Sequence, residues 1–565
     1  MKLRWAVALS VLIVLSTALP YAYHAAHPLP GRAYTGIEAF VTDQVTYLMW
    51  IEQVRRWGLW VENLYTADAD DLVLANPLWA ALGLLGRGVP AHAVWLYHGS
   101  RLLLGLTYLL LLWALVRRFS EDALTQWTAW LLAALGGGFA WVHWLVTGST
   151  DLEGMWITAD YMPEMWSYPS LLYFPHFVAG LLLLVATFHC LSGSWLTGRT
   201  GPAVGAGLSL GLLCLVHTYT AVTALAVLVV HSLLWLLTTR RLRPVVPRSI
   251  LAAGIGSPFF AFQAWQVHTS PTLQKWAESN LMPSPTPLSY LLGAGLPGLV
   301  AVVALALAVR GLFRPGSGAE AGPGADPGAG SPALRLLLLA WVAGTIVLIF
   351  SGVAFERRCI EGLHIALALL AAPLVVETAR RACRGSRPQT LLCIGGFIAL
   401  SAPTALWYVA REFASKTGYI DSRIPRLARQ LQATRPISGP PSTGDPAVIA
   451  RLNLAAWLPV YGQVRVYAAH PQLTFDYARK CRVVSRLFAP ETSDRERWDL
   501  LSTTGCGFIV AVGRDAEVFA RAPRYWGELA LDVGREPPHS DGMQVYIRLS
   551  PGLDAGQTPA LRRSD

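Results

Sequence analysis

The stretch Leu334–Thr378, "LRLLLLAWVAGTIVLIFSGVAFERRCIEGLHIALALLAAPLVVET", sets two long apolar runs on either side of one short polar turn. About twenty apolar residues wound as helix rise roughly 30 Å, the thickness of a bilayer's hydrocarbon. The two runs are therefore read as membrane spans, at about 334–353 and 360–378. The turn between them, "FERRCIEGLH" (Phe355–His364), carries two adjacent arginines and two glutamates. Charge is costly inside hydrocarbon, so groups kept at such a boundary have an interfacial or functional reason to be there.

Working outward, similar runs lie at about 5–24, 92–116, 124–147, 171–196, 202–218, 220–238, 249–267, 286–310 and 389–410. With the first two they make about eleven spans. Of the 565 residues 53% are hydrophobic and only 14% are charged, as a polytopic membrane chain requires. The formal net charge of +10 does not point to nucleic acid, because the arginines sit in short loops beside the apolar runs and no basic, aromatic-interleaved soluble domain accompanies them. With "MKLR" inside, alternation places Arg117/Arg118, Arg199, Arg240/Arg241/Arg243, Arg310/Arg314 and Arg380/Arg381/Arg384 all in the cytoplasm, as the positive-inside rule asks. The first segment reads either as a retained helix or as a cleavable signal peptide, and both export the loop that comes after it.

The same alternation sends four regions outside: the loop 25–91, the loop 148–170, the loop 268–285 and everything past 410. The Gly/Pro-rich segment 314–332 reads as a flexible cytoplasmic linker. The tail 411–565 alternates short apolar runs with polar and helical stretches, the pattern of a small extracytoplasmic α/β domain. In the first external loop, "AFVTDQVTYLMWIEQVRRWG" brings Phe40, Tyr47, Leu48, Ile51 and Val54 towards one face at helical spacing, which predicts an amphipathic helix lying on the membrane surface. The seven cysteines show no C-x-x-C spacing; export of their segment would allow Cys481 and Cys506 to pair, and the sequence leaves that open. "GAGLPG" (Gly293–Gly298) matches G-x-G-x-x-G, but it follows no strand and contains proline, so it carries no dinucleotide.

Ionisable groups gather at the outer ends of the spans. Asp43 stands one turn from Tyr47 and reads as a general base towards a hydroxyl, as a ligand of a metal near phosphate, or as a solvated charge. Asp68, Asp70 and Asp71 precede an apolar helix and suit its N-terminus. His98 and Arg101 share a face at the mouth of the second span, where an arginine either lines a cavity or snorkels. Asp160 and Glu164 precede "FPHF", whose His176 either bonds a carbonyl freed by proline or faces the same cavity. Arg357 and Arg358 occupy an external turn against the topological bias, with Glu361 and His364 one turn further on. Acidic groups in the loops with arginines at headgroup depth suit a lipid-linked phosphate.

With its charges placed in this way, the chain resembles the GT-C superfamily of polytopic membrane glycosyltransferases. The shared features are a first span, a long external loop with an acidic residue soon after it (Asp43 in "TDQVTY"), many further spans, and an external C-terminal segment. It is similar also to a group of bacterial GT-C-like membrane proteins, through "FPHF", "NLMPSPTPLSYLLGAG", "RRCIEGLH" and "VYAAHPQLTFDYARK". It departs from many GT-C enzymes in having Gln44 after Asp43 where they carry an acidic pair, and Asn76-Pro77 in place of a His-Pro-Pro element.

The resemblance implies an all-α membrane domain over 1–410 and a small extracytoplasmic α/β domain over 411–565 in the plasma membrane. It implies transfer of a sugar from a polyprenyl-phosphate donor to a cell-envelope acceptor, with Asp43 catalytic and Arg357, Arg358, Glu361, His364, His176, Arg101, His98, Tyr47 and Asp160 binding substrate. The partners are then a lipid-linked sugar donor, membrane lipids and an unidentified acceptor, with no nucleic acid; a divalent cation stays open. The competing classes are a transporter or flippase of lipid-linked or anionic substrates, for which internal repeats are the signature, and a non-catalytic envelope assembly protein.

Overall fold

A backbone crossing hydrocarbon must satisfy every N–H and C=O within its own segment, so the apolar runs fold as helices. In the computed structural model, residues 3–68, 71–88, 92–148, 162–312, 331–433, 447–522, 526–529 and 543–548 are described. Among them six helices are long and apolar enough to cross a membrane: Ala93–Phe119, Pro175–Thr197, Thr218–Thr239, Val245–Thr269, Pro332–Ile349 and Glu356–Ala382. Four further helix pairs are bent at a short break, giving up to ten spans if each pair is one; Gly201–Val216 is apolar but shorter. The sharpest bend, 111°, separates Pro287–Gly293 from Gly295–Arg310 and lies within the "GAGLPG" stretch.

The chain divides into two units. The first comprises Met1–Tyr23, His98–Trp265 and Leu281–Ser415. Its centre is the helix Leu363–Ala382, which packs against Ala123–Leu135, Gly295–Leu312 and Pro332–Ile349. Ala366, Ala368, Ala371 and Ala372 are fully buried there, small enough for neighbouring helices to approach closely. The charged turn that leads into it is a 3₁₀ helix, Glu356–Ile360, ended by Gly362 at φ +86°. That conformation, with Leu184 against the position where a Cβ would stand, admits glycine alone without strain. Gly362 thus turns the chain between the arginines and Leu363–Ala382, and carries Glu361 and His364 inward, with 0% and 1% of their surface exposed.

The second unit comprises His24–Tyr97, Gln266–Asn280 and Lys416–Asp565. Its helix Val41–Trp57 corrects the expectation of a surface helix. Leu48, Met49, Ile51 and Val54 are buried, and so are the polar Gln44, Thr46, Glu52 and Gln53 on the other faces. The apolar face packs with Leu427, Ala428 and Leu431 of Ile424–Ala433 and with Leu458 and Val460 in one core. Burial on nearly every side replaces the two-sided environment that periodicity suggested. A four-stranded sheet runs in the order Ala447–Ile449, Cys506–Val512, Met543–Arg548, Trp526–Leu529, with the first pairing parallel and the other two antiparallel. The parallel step needs a long crossover, which holds the helices Tyr477–Leu487 and Asp494–Ser502. Val484, Leu487 and Leu501 from them pack on Ile449, Ile509 and Tyr546 of the sheet. Arg32–Tyr34 pairs antiparallel with Tyr419–Asp421. All seven cysteines are free, Cys481 and Cys506 among them.

Inside this unit the segment His24–Tyr97 is tied to the tail by buried charge. Arg465, 1% exposed, pairs with Glu62 and donates from Nη1 to the carbonyl of Thr66 at 3.1 Å. Burial pulls its guanidinium down to about 10. Lys480 Nζ lies 2.6 Å from Asp68 and 2.8 Å from Thr66 Oγ1. Partial burial works against the Asp68 charge, but bonds from Lys480 and Thr66 hold its carboxyl below the usual range. Removing one partner of a buried pair leaves the other uncompensated, which costs about 3–5 kcal/mol. Arg465→Met is therefore expected to depress thermal unfolding in detergent sharply. Arg486→Ala, which breaks an exposed pair with Glu496, is expected to leave the transition unmoved; equal behaviour of the two contradicts the structural role of Arg465.

Candidate functional site

Three interruptions of helix converge in the first unit. "FPHF" starts the helix Pro175–Thr197 with proline at its first turn, so His176 follows on the next residue. "VHTYT" breaks Gly201–Val216 from Thr218–Thr239 at His217, whose backbone is extended (φ −146°). "CIEGLH" breaks the 3₁₀ turn from Leu363–Ala382 at Glu361. The side chains at these breaks meet. His217 Nδ1 lies 2.6 Å from Glu361 Oε2 and 2.6 Å from Thr220 Oγ1, and the Thr220 hydroxyl also donates to Glu361. The His176 and His217 rings lie 5.8 Å apart. Gly180 leaves the room: a Cβ there would stand 3.2 Å from both carboxylate oxygens of Glu361. Among the described residues Glu361 Oε1 and His217 Nε2 have no hydrogen-bond partner, so this buried cluster retains capacity for a further polar group.

The two arginines differ. Arg358 Nη1 lies 3.9 Å from Glu164 Oε1, and its guanidinium stands over the Tyr219 ring at 5.5 Å. Arg357 is half-buried, with Nη2 3.0 Å from the sulfur of Met282, a weak acceptor. Among the described residues its Nε has no hydrogen-bond partner. The carboxylate that meets Arg358 is Glu164, while Glu361 is engaged with His217 and Thr220. His364 Nε2 lies 2.7 Å from Ser167 Oγ, which in turn lies 2.7 Å from Tyr108 Oη, a buried polar chain.

His98 and Arg101 do meet, Arg101 Nε lying 3.3 Å from His98 Nδ1. Arg101 is 1% exposed, lies 2.9 Å from Thr17 Oγ1, donates to the carbonyl of Leu171, and stacks over Tyr21 at 5.0 Å. It joins three segments of the first unit. Asp160 lies outside the described residues.

In the second unit Asp43 stands in the first turn of Val41–Trp57, where the helix dipole favours its charge. Its Oδ1 lies 3.7 Å from His470 Nε2, and 39% of its side chain is exposed. Tyr47 stacks on Trp79 at 4.7 Å, and Trp79 in turn on Tyr97 at 6.0 Å. Glu38, which precedes Asp43, is buried and accepts from Tyr34. Sequence reasoning missed four groups: His217, Thr220, the pairing of Glu164, and His470. His217 and Thr220 carried a faint signal in their spacing at a helix start; His470 carried none that pointed to Asp43. Among the described residues no three His, Cys, Asp or Glu side chains form a metal-ligand set.

No protein-family model matches the chain, and no curated protein does. Solved structures do match its fold. The Archaeoglobus fulgidus oligosaccharyltransferase in the apo form is 12% identical, with a TM-score of 0.55, over 93% of this chain and 73% of that one. The oligosaccharyltransferase AglB from the same organism, in complex with an inhibitory peptide and a dolichol-phosphate, is 11% identical, with a TM-score of 0.53, over 93% and 72%. The form in complex with Zn and sulfate is 11% identical, with a TM-score of 0.51, over 93% and 71%. Nearly the whole chain thus follows the path of a polytopic oligosaccharyltransferase, and the resemblance to GT-C glycosyltransferases is borne out for the fold.

Proposed function

We propose that the protein is a membrane glycosyltransferase that moves a sugar from a polyprenyl-phosphate donor to an acceptor of the cell envelope on the outer face of the plasma membrane. The observation that carries this function is the fold shared over 93% of the chain with an oligosaccharyltransferase that binds dolichol-phosphate. Arg357 adds support: a half-buried guanidinium set against a thioether is suited to an incoming anion.

The chemistry is an inverting displacement. An acceptor oxygen bonds to the sugar's anomeric carbon as the bond from that carbon to the phosphate oxygen breaks on the opposite side. The acceptor's proton passes to the Asp43 carboxylate, and polyprenyl phosphate leaves with the bonding pair. A phosphate is already a good leaving group, so fixed positive charge from Arg357 and Arg358 suffices to stabilise it. In this reading Glu361, His217 and His176 serve the donor and Tyr47 serves the acceptor.

Loss of a general base costs about 10² to 10⁴ in rate, whereas an exposed polar substitution changes stability by less than about 0.5 kcal/mol. Asp43→Asn is thus expected to abolish transfer from polyprenyl-phosphate sugars while melting like the parent; near-full activity removes Asp43 from the mechanism. Arg357→Lys keeps charge and loses the planar fork, and donor binding is expected to weaken by about 1.5–3 kcal/mol. Unchanged binding makes Arg357 a headgroup anchor.

With Gly201–Val216 counted as a span and each bent pair as one, the total among the described residues is eleven, which supports a segment after 410 outside and a basic loop near Arg384 inside. In a cysteine-free variant, an impermeant thiol reagent added to intact cells is expected to label Ser502→Cys and not Gln389→Cys. The reverse pattern overturns the topology.

A further inference from the structure

His470 belongs to the segment "AAHPQLTFDY", which is fastened on every side within the second unit. Its Nδ1 accepts from the backbone N–H of Gln472 and of Leu473, each at 3.1 Å. A ring nitrogen that accepts carries no proton, so the proton of the neutral imidazole sits on Nε2. That nitrogen is the one facing Asp43, 3.7 Å from Oδ1. Contacts of this kind are often long before substrate binds and shorten with it.

The loop leaves the ring little freedom. Thr474 Oγ1 accepts from the N–H of Ala469 at 3.1 Å and of His470 at 3.2 Å, and donates to the Tyr65 carbonyl at 2.6 Å. Asn63 Nδ2 donates to the Leu473 carbonyl at 2.7 Å, Ser279 Oγ to the Gln472 carbonyl at 3.0 Å, and Gln472 Nε2 to Asn280 at 3.0 Å. His470 is 4% exposed against this framework, while Asp43 stays open. A buried donor with a fixed tautomer, aimed at a half-open carboxylate at a helix start, is the arrangement that sets the orientation of a general base.

We propose that His470 is the positioning residue of Asp43: its Nε2–H holds Oδ1, and so presents the other carboxylate oxygen to the acceptor hydroxyl. The proposal rests on Asp43 acting as the base. The tail thereby supplies part of the catalytic arrangement built on the first external loop.

Two substitutions separate this from a purely structural role, because each keeps one ring nitrogen's function. In His470→Asn the amide oxygen replaces Nδ1 as loop acceptor and the donor to Asp43 is lost. In His470→Gln the amide nitrogen replaces Nε2 and the loop acceptor is lost. With a panel of polyprenyl-phosphate-linked hexoses and pentoses, His470→Asn is expected to melt like the parent yet lower kcat about 10–100-fold with little change in KM. His470→Gln is expected to recover most of that loss. Asn active and Gln impaired, both fully active, or both equally impaired overturns the proposal.

A second measurement needs no donor. Imidazole ¹⁵N NMR, with the His470 resonances identified by their disappearance in His470→Asn, is expected to show the Nε2–H form, and Asp43→Asn is expected to shift the Nε2 signal. An Nδ1–H form, or a signal indifferent to Asp43→Asn, overturns the pairing. An active Asp43→Asn with that NMR shift intact shows instead that the base assignment is at fault and the pairing is not.

Discussion

A carboxylate with no exposed surface has to be neutralised or hydrogen-bonded where it lies, or it does not survive there. Glu361 meets that constraint through His217 and Thr220, and the chain path at His217, Gly362 and Gly180 is bound up with it. The chain must break helix at His217 to bring the imidazole round, and must turn at Gly362 to carry the carboxylate inward. Gly180 must lack a side chain for the carboxylate to fit. These are costs to a helical membrane domain, and a wholly apolar packing would avoid them. Proteins retain such buried ionisable groups within a membrane domain where function needs them.

The second unit uses buried charge differently. Arg465 and Lys480 from the tail enter a region lined by Glu62, Thr66 and Asp68 of the segment His24–Tyr97. The two segments are far apart in sequence and share one apolar core. The directional pairs add a fixed register to that non-directional packing. The same tail stretch then brings His470 to Asp43, so the framework and the candidate base share one support.

The sequence was most legible where length and composition decide the outcome. Apolar runs became helices near the expected positions, because hydrocarbon admits little else. Arg357 and Arg358 stood out because they break a topological rule. The expectation failed for Val41–Trp57, whose apolar stripe was visible but whose polar Gln44, Glu52 and Gln53 are buried too, and periodicity does not reveal a second covering layer. The partners of Glu361 were not legible either, because His217 and Thr220 come from a helix break far away in the chain. Pairings such as Asp43 with His470 join distant segments, and nothing local encodes them.

The most direct test of the proposed function is to incubate the purified protein with polyprenyl-phosphate-linked sugars and follow the lipid product by mass spectrometry. Release of free polyprenyl phosphate from at least one donor, dependent on Asp43, is the expected result. Recovery of every donor intact, together with movement of a labelled lipid-linked sugar between leaflets of reconstituted vesicles, contradicts a transferase and makes the protein a transporter.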